Sequence, residues 1–440
     1  MNTEIINVFY RDVLVGRLAE FEAGHLWEYD ANFVRQGIEL SPLRLPTEKI
    51  RKHCLNTNLH KLPGMVWDCL PDSFGMKVMD NAFASQNISS PSALQRLAYV
   101  GGDGIGALRF EPLLEDAAAR VIEFAKFSHA AKEMDSRTDK TQLNLLRHST
   151  SVGGAKPKAL ISFNPATQEY LVGAPPSLDL EHWLVKFQSS YDDEETIAEH
   201  ALSLLAPECG IRTVHTALIE ANFQGKILRH FAAKRFDIGN GEKIHYHSYK
   251  GVMEDQYENR PSPDYENLAI LTKKLTRSHS QQMEMFRRAL FNVFVCNNDD
   301  HAKNHGFLFD DENWTLSPAF DLTFSLQSFN TERAMPVVGK IRNIRRSDFA
   351  RLAHFCGITA KDADAAIDQV RAGLKQWETV CARAGLSSSM HSEIENAIAA
   401  RLAEFDSDGP PLVSGGLSTK SAQAAPGTRA GVAGPGEELT

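Results

Sequence analysis

Apolar and polar positions alternate along "IINVFYRDVLVGRLAEF" (5–21) around Arg11-Asp12, the pattern of a β-hairpin with a short turn. "LAYVGGDGIGALRFEP" (97–112) carries a similar pattern, and a second hairpin is expected with Gly101 to Gly106 at its turn. Between them, "LPGMVWDCLPDSFGMKVMDNAF" (62–83) reads as a turn followed by an amphipathic helix. Residues 1–110 are therefore expected to form an α+β unit. "LEDAAARVIEFAKFSHAAKEM" (114–134) puts Ala117, Val121, Phe124 and Ala125 on one face of a helix.

"SVGGAKPKALISF" (151–163) is a glycine-bearing loop that runs into a strand, and "EYLVGA" (169–174) and "HWLVKF" (182–187) read as two more strands. In the last of these Trp183, Val185 and Phe187 share one face, which leaves Lys186 on the other with Leu184. "EETIAEHALSLLAPECGI" (194–211) is a helix stopped near Pro207 and Gly210, and "TALIEANFQGKILRHFAAKRFD" (216–237) is two strands around Gln224-Gly225. Helices follow at "YENLAILTKKLT" (265–276), "QQMEMFRRALFNVFVCN" (281–297), "DADAAIDQVRAGLKQWETVCARAG" (362–385) and "SEIENAIAARLAEF" (392–405). In the last, Ile394, Ile398 and Leu402 form a core face, while "KIHYHSYK" (243–250) is expected to be a loop. Residues 407–440 are rich in Gly, Pro, Ala and Ser and lack aromatics, the composition of a disordered tail. A β-rich part at 111–236 thus precedes a helical part at 237–406, the order of a two-lobed α+β fold.

With 440 residues, 42% of them hydrophobic, the chain has material for a large core and more than one domain. The formal net charge of -9 excludes a surface that matches nucleic acid as a whole. The six cysteines show no CxxC spacing, against a zinc ribbon or a secreted disulfide scaffold. The N-terminus has no signal-like basic and apolar regions, and no apolar stretch approaches the ~20 residues of a spanning helix. A cytoplasmic protein without a membrane partner is expected.

The candidate chemistry is phosphoryl transfer, which needs positioning and charge neutralisation more than covalent catalysis. "SVGGAKPK" (151–158) offers close-approach glycines and backbone N–H groups to phosphates. Lys186 is placed to hold phosphate oxygens, with Glu199 as its candidate acid and Glu194 and Glu195 as competitors. Asp299 and Asn304 in "DDHAKN" give the D-x-x-x-x-N spacing of a kinase catalytic loop, and Asp321 in "AFDLTFS" supplies a further oxygen ligand for Mg²⁺. His301 reads as a hydrogen-bonder that holds this loop, and Asp300 as a solvated neighbour. Gly102 to Gly106 looks like a dinucleotide fingerprint but lacks a βαβ context, so it reads as a turn.

These motifs resemble those of the HipA family of toxin kinases over residues 1 to about 405. The match is most specific at "DDHAKN" and "LSPAFDL", and extends to "SVGGAKPK", "EHALSLLAPECGI", "KRFD", "LPDSFG" and "VGGDGIGAL". The resemblance implies a two-lobed protein-kinase-like core with an extra N-terminal α+β subdomain and a mostly helical C-terminal lobe. It implies ATP and Mg²⁺ as cofactors and transfer to Ser or Thr, with aminoacyl-tRNA synthetases among the targets. A small helix-turn-helix antitoxin that also binds operator DNA would be the partner. Carried onto this chain, Asp299 is the catalytic Asp, Asn304 and Asp321 hold the metal, and Lys186 binds phosphates. ATP would also meet Gly153, Gly154, Ala155, Lys156, Pro157 and Lys158 of the loop. Lys234, Arg235 and Phe236 would meet adenine, chiefly through backbone groups. His301, Ala302, Lys303 and Phe320 complete that set, and Ser151 falls at the family's autophosphorylated serine. Asp300 stands where Gly is usual, and Lys234 where Glu is common. A non-catalytic co-repressor subunit and a metal-dependent phosphoesterase remain as alternative functions.

Overall fold

The computed structural model describes residues 4–71, 73–114, 119–132, 156–223, 225–257, 262–325 and 332–408. Ser151, Gly153, Gly154, Ala155, Ala117 and the tail from residue 409 lie outside them.

The N-terminal domain is an antiparallel sheet of β1 (Ile5–Tyr10), β2 (Val13–Phe21), β3 (Gly24–Tyr29), β4 (Arg51–Cys54) and β5 (Leu108–Glu111), in the order β4-β3-β2-β1-β5. Its helices are α1 (Ala31–Gln36), α2 (Gly64–Trp67), α3 (Ser73–Ala84) and α4 (Ala93–Val100). The hairpin expected at 5–21 forms, with Val13 opposite Tyr10. The second expected hairpin does not, because its first arm lies in α4. There the Ser92 hydroxyl accepts from the Gln95 N–H and the Gln95 side chain accepts from the Ser92 N–H, so a capping box starts a helix where alternation alone suggested a strand. Only the second arm is a strand: β5, which pairs with β1.

The second part is a six-stranded sheet in the order β10-β11-β9-β7-β8-β6. These strands are β6 (Arg120–Ile122), β7 (Lys158–Asn164), β8 (Glu169–Val172), β9 (Glu181–Lys186), β10 (Thr216–Phe223) and β11 (Lys226–Lys234). Helix α5 (Phe124–Lys132) covers one face, and α6 (Glu195–Glu208) crosses between β9 and β10. The helix expected over 114–134 is thus corrected. Val121 and Ile122 extend as an edge strand beside Leu171 and Tyr170, and the helix begins only at Phe124. Trp183, Val185 and Phe187 pack into the core below the sheet, as the alternation predicts, and turn Lys186 to the opposite face.

The third part holds the small strands β12 (Ile238–Gly239) and β13 (Glu242–Lys243), and a three-stranded sheet of β14 (His245–Ser248), β15 (Gly306–Phe309) and β16 (Trp314–Leu316). Its helices are α7 (Tyr249–Met253), α8 (Tyr265–Thr276), α9 (His279–Phe294), α10 (Arg346–Cys356), α11 (Ala360–Leu374), α12 (Trp377–Ala384) and α13 (Ser388–Phe405). "KIHYHSYK" is largely strand, not loop: His245 to Ser248 pair with β15 and are all buried. The long helix expected at 362–385 breaks at Lys375-Gln376 into α11 and α12. Ile394 and Ile398 are buried. Ser407 and Asp408, placed in the tail by composition, instead complete with Asp406 a turn of 3₁₀ helix in which Asp408 pairs with Arg345 at 2.8 Å. Among the described residues no helix is long and apolar enough to cross a membrane.

Candidate active site

A cleft opens where the six-stranded sheet, the third part and the N-terminal domain meet. Leu160, Leu184, Phe231, Phe236 and Phe320 supply its apolar lining, with the Phe236 and Phe320 rings 5.2 Å apart. Lys186, Glu199, Asn304 and Asp321 are among its polar lining, with the Lys186 ammonium 5.6 Å from the Phe231 ring centre.

Register explains why Lys186 needs acids around it. Lys158 of β7 lies directly opposite Lys186 of β9, and both are turned to one side of the sheet. Two cations facing each other across a strand pair repel. Lys186 Nζ donates to Glu199 at 2.6 Å and also to Asp321. Burial favours loss of the Lys186 proton, but Asp321 and Glu199 more than offset it and raise its pKa. Asp321 is correspondingly held far below the usual carboxylate range: burial opposes ionisation, and Lys186 and Lys158 overcome it. Glu199, 4% exposed, is instead pushed up by burial, with Lys186 pulling it back. Asp321 is thus the firmer anion of the two. The competitors of Glu199 are engaged elsewhere, since Glu195 pairs with Lys156 and Glu194 accepts from Ser387 N–H at 3.1 Å.

Asp321 has a left-handed backbone, φ 57°, which is strained for a residue with a Cβ. The chain around it is fixed on both sides. Ala319 N–H donates to the Arg212 carbonyl at 2.7 Å, and Val214 N–H donates to the Ala319 carbonyl at 3.3 Å. Beyond it, the Ser325 hydroxyl accepts from the N–H groups of Asn298 (2.6 Å) and Asp299 (3.0 Å), and Thr323 donates to Asn297 at 3.2 Å. The two acidic segments are thereby joined side by side. Asp299 is exposed; neighbouring atoms that displace water raise its pKa, His301 opposes this, and Asp321 and Asp300 add to it. Asn304, in a 3₁₀ turn from Ala302 to Asn304, donates its amide N–H to the Asp299 carbonyl at 3.3 Å.

Sequence neighbours of these residues do other things. Asp300 is 1% exposed, not solvated. It accepts from His305 Nε2 at 2.7 Å, from the Tyr265 hydroxyl, and from Arg333 at 3.4 Å. His301 lines the cleft, but its carbonyl, accepting from Asn304 N–H at 2.8 Å, makes the hydrogen bond that shapes the loop. Ala302 is buried, and the Lys303 ammonium stands 4.2 Å from the Trp67 ring centre in the N-terminal domain. Between the lobes, the N–H groups of Lys234 and Arg235 donate to the carbonyls of His215 and His182, each at 2.8 Å. Among the described residues the Phe236 N–H has no such backbone partner. The Lys234 side chain is exposed and pairs with Glu181. Pro157 supplies a carbonyl that accepts from Phe187 N–H at 3.0 Å.

Sequence reading missed the N-terminal contribution to the cleft: Asp68, Leu70 and Ile105 line it. Their only signal was that Leu70 and Ile105 fall within "LPDSFG" and "VGGDGIGAL" and Asp68 just before the first, which says nothing of distance.

Two lobes around a lysine–carboxylate floor, with an N-terminal domain closing one side, define a class of protein by fold and site together. The chain belongs to the HipA family: residues 6–111 match the HipA N-terminal domain, and residues 150–377 match the HipA-like C-terminal domain. Its fold is shared with a chain of the Shewanella oneidensis MR-1 toxin–antitoxin complex of HipA, HipB and operator DNA. That match has a TM-score of 0.69 at 18% identity, over 91% of this chain and 96% of that one. The Helicobacter pylori proinflammatory kinase CtkA aligns over 57% of this chain and 90% of its own, at 14% identity and a TM-score of 0.38. A Haemophilus influenzae protein described as "Putative kinase" is 29% identical over 134 residues, which span 28% of this chain and 39% of that relative.

Proposed function

We propose that this chain transfers the γ-phosphoryl group of ATP to a serine or threonine of a protein, as the toxin of a toxin–antitoxin pair. The observation that carries the proposal is the floor of the cleft, where Lys186 lies between Glu199 and Asp321 while the Asp299–Asn304 loop is tied alongside Asp321 through Ser325. Lys186, fully charged, would hold phosphate oxygens. The base would lie against the apolar lining near Phe236, with the Phe236 N–H as the hinge donor still available to it. Asp321 and Asn304 offer Mg²⁺ the hard oxygen donors it takes. The Asn304 amide nitrogen is turned to the Asp299 carbonyl, so Oδ1 is the atom left for a cation. When bound, Mg²⁺ would neutralise charge on the phosphates. Asp299, exposed and with a raised pKa, would accept the proton of the attacking hydroxyl.

The same reading assigns Ser151 as a site of self-phosphorylation and an aminoacyl-tRNA synthetase as a substrate. A small helix-turn-helix antitoxin would bind this chain in the cytoplasm and carry it to operator DNA. The HipA neighbour, solved with HipB and operator DNA, supports that partnership, as does a net charge of -9 that disfavours direct DNA binding.

Incubation with Mg²⁺ and γ-labelled ATP tests the reaction. The wild-type chain should label itself or a protein substrate, and Asp299→Asn should lower labelling by about 10²-fold or more while still binding Mg-ATP. Absence of labelling, or equal labelling by Asp299→Asn, would overturn it.

A further inference from the structure

The loop from Asp299 to Asn304 is tied down through its buried member, Asp300. His305 Nε2 donates to Asp300 Oδ1 at 2.7 Å, a bond that spans five residues and closes the loop into a ring, with Asn304 inside it and Asp299 at its entry. Asp300 Oδ2 is held separately, by the Tyr265 hydroxyl and by Arg333 at 3.4 Å. A glycine at this position, as is usual in the family, could make none of these bonds. A small cavity adjoins the loop, lined in part by Asn292, Asn297, Asp300, Asn304 and His305. Close packing therefore does not fix the loop on that side, and the hydrogen bonds must.

Tyr265 connects this anchor to the rest of the site. It opens α8, whose start is capped by Asp264, accepting from the Asn267 N–H at 2.7 Å. The Tyr265 side chain is fully buried, its ring stands edge-on to His305 with 5.7 Å between centres, and its hydroxyl also accepts from Asn292 Nδ2 at 3.1 Å. Its backbone N–H donates to the Pro336 carbonyl at 3.1 Å, and Glu266 beside it accepts from the Val338 N–H at 2.8 Å. The segment held in this way also reaches the loop directly, since the Ala334 N–H donates to the Asn298 carbonyl at 2.9 Å. The start of α8 thus fastens two stretches to one support: the Asp299–Asn304 loop, and the chain that returns beyond Asp321.

We infer that Tyr265 is a positioning residue for phosphoryl transfer: acting through Asp300, its hydroxyl holds Asp299 where the acceptor hydroxyl arrives. The inference rests on the kinase reading given above. Tyr265 itself lies away from the cleft lining, so it acts on the placement of Asp299 and not on nucleotide binding. Misplacing a reacting group by about 1 Å costs up to ~10²-fold in rate. Because the support is the start of a buried helix, the placement is made before any substrate binds.

Release of ADP from Mg-ATP tests this, because it counts transfer to any acceptor, water included. Tyr265→Phe removes one oxygen and keeps the ring. It should lower kcat by about tenfold and leave KM for Mg-ATP within about twofold of wild type. In an Asp299→Asn background the same change should cost less than about twofold more, since the group it positions is gone. A merely structural tyrosine would lower both backgrounds equally. Thermal melting of each variant checks that the rates belong to folded protein. Turnover by the wild type, and its loss in Asp299→Asn, test the kinase reading on their own. If both are seen and Tyr265→Phe turns over at the wild-type rate, or loses equally in the two backgrounds, the inference alone is wrong. A wild type that releases no ADP overturns both.

Discussion

Asp299 and Asp300 are adjacent, yet one is exposed and the other sealed. Asp300 remains ionised although burial raises its pKa, because His305, Arg333 and the Tyr265 hydroxyl together pull it below the usual range. Arg333 is itself buried and also donates to the Asn292 carbonyl at 3.0 Å. Asp300→Asn should leave that guanidinium uncompensated and cost about 3–5 kcal/mol, the usual penalty for breaking one partner from a buried pair. Urea unfolding measures it, and a loss below about 1 kcal/mol would show that Asp300 is not the counter-ion of Arg333. The partners of Asp300 explain why it read as solvated. Tyr265 and Arg333 are distant in sequence, and no local pattern announces them. Asp299 and Asn304, by contrast, lie within one turn of chain, so their spacing was legible.

At the scale of elements, α6 presents Glu199 to Lys186 and is held at both ends by C-terminal helices. Near its start, Glu194 accepts from the N–H and hydroxyl of Ser387, the residue that caps α13. At its end, the Cys209 thiol donates to the Val370 carbonyl at 3.5 Å, and a Cβ on Gly373 would lie 2.5 Å from the Glu208 carbonyl oxygen. Gly373→Val should therefore push α6 off α11, at a cost of about 1–3 kcal/mol. It should also weaken Mg-ATP binding through displacement of Glu199. Melting temperature and calorimetric affinity check the two effects, and unchanged values in both would mean that α6 is not seated by this contact. Periodicity found α6 and β9 because each has one apolar face. It failed at α4 and β6, where a capping box and an edge pairing outweighed the apolar spacing. The contact at Gly373 depends on a close approach between distant helices, which a single glycine does not reveal.

Over the whole molecule, pH dependence follows from histidines buried in the neutral form. His245 is completely buried, and desolvation, aided by His247, lowers its pKa to about 3. His182 is lowered to about 4, chiefly by burial and then by Arg235. Unfolded, each returns to about 6.5. Between those values the unfolded chain binds protons that the native chain does not, so stability rises with pH and is lost as pH falls below about 6.5. Each group contributes a slope of at most about 1.4 kcal/mol per pH unit. His245→Gln should flatten the stability profile between pH 4.5 and 6.5 by about that much; an unchanged slope in urea unfolding would contradict a neutral, buried His245. His245 Nε2–H donates to the Leu40 carbonyl, 2.9 Å away in the N-terminal domain, so this titration reports on the junction between domains.

That junction bears on modularity. Two separate family matches, 6–111 and 150–377, invite the view that the domains are interchangeable units. The Asp68 carboxylate of the first accepts from His247 Nδ1 at 2.6 Å and from Ser248 N–H at 2.7 Å in the second, while the other imidazole nitrogen meets Ser41 at 3.1 Å. Glu254 returns the favour, accepting from Gly64 N–H at 2.9 Å and pairing with Lys52. A boundary made of buried, reciprocal polar bonds does not tolerate a change on one side alone. Lineages that recombine such domains must therefore carry both halves of the seam, and residues 41, 52, 64 and 68 are bound to travel with 247, 248 and 254.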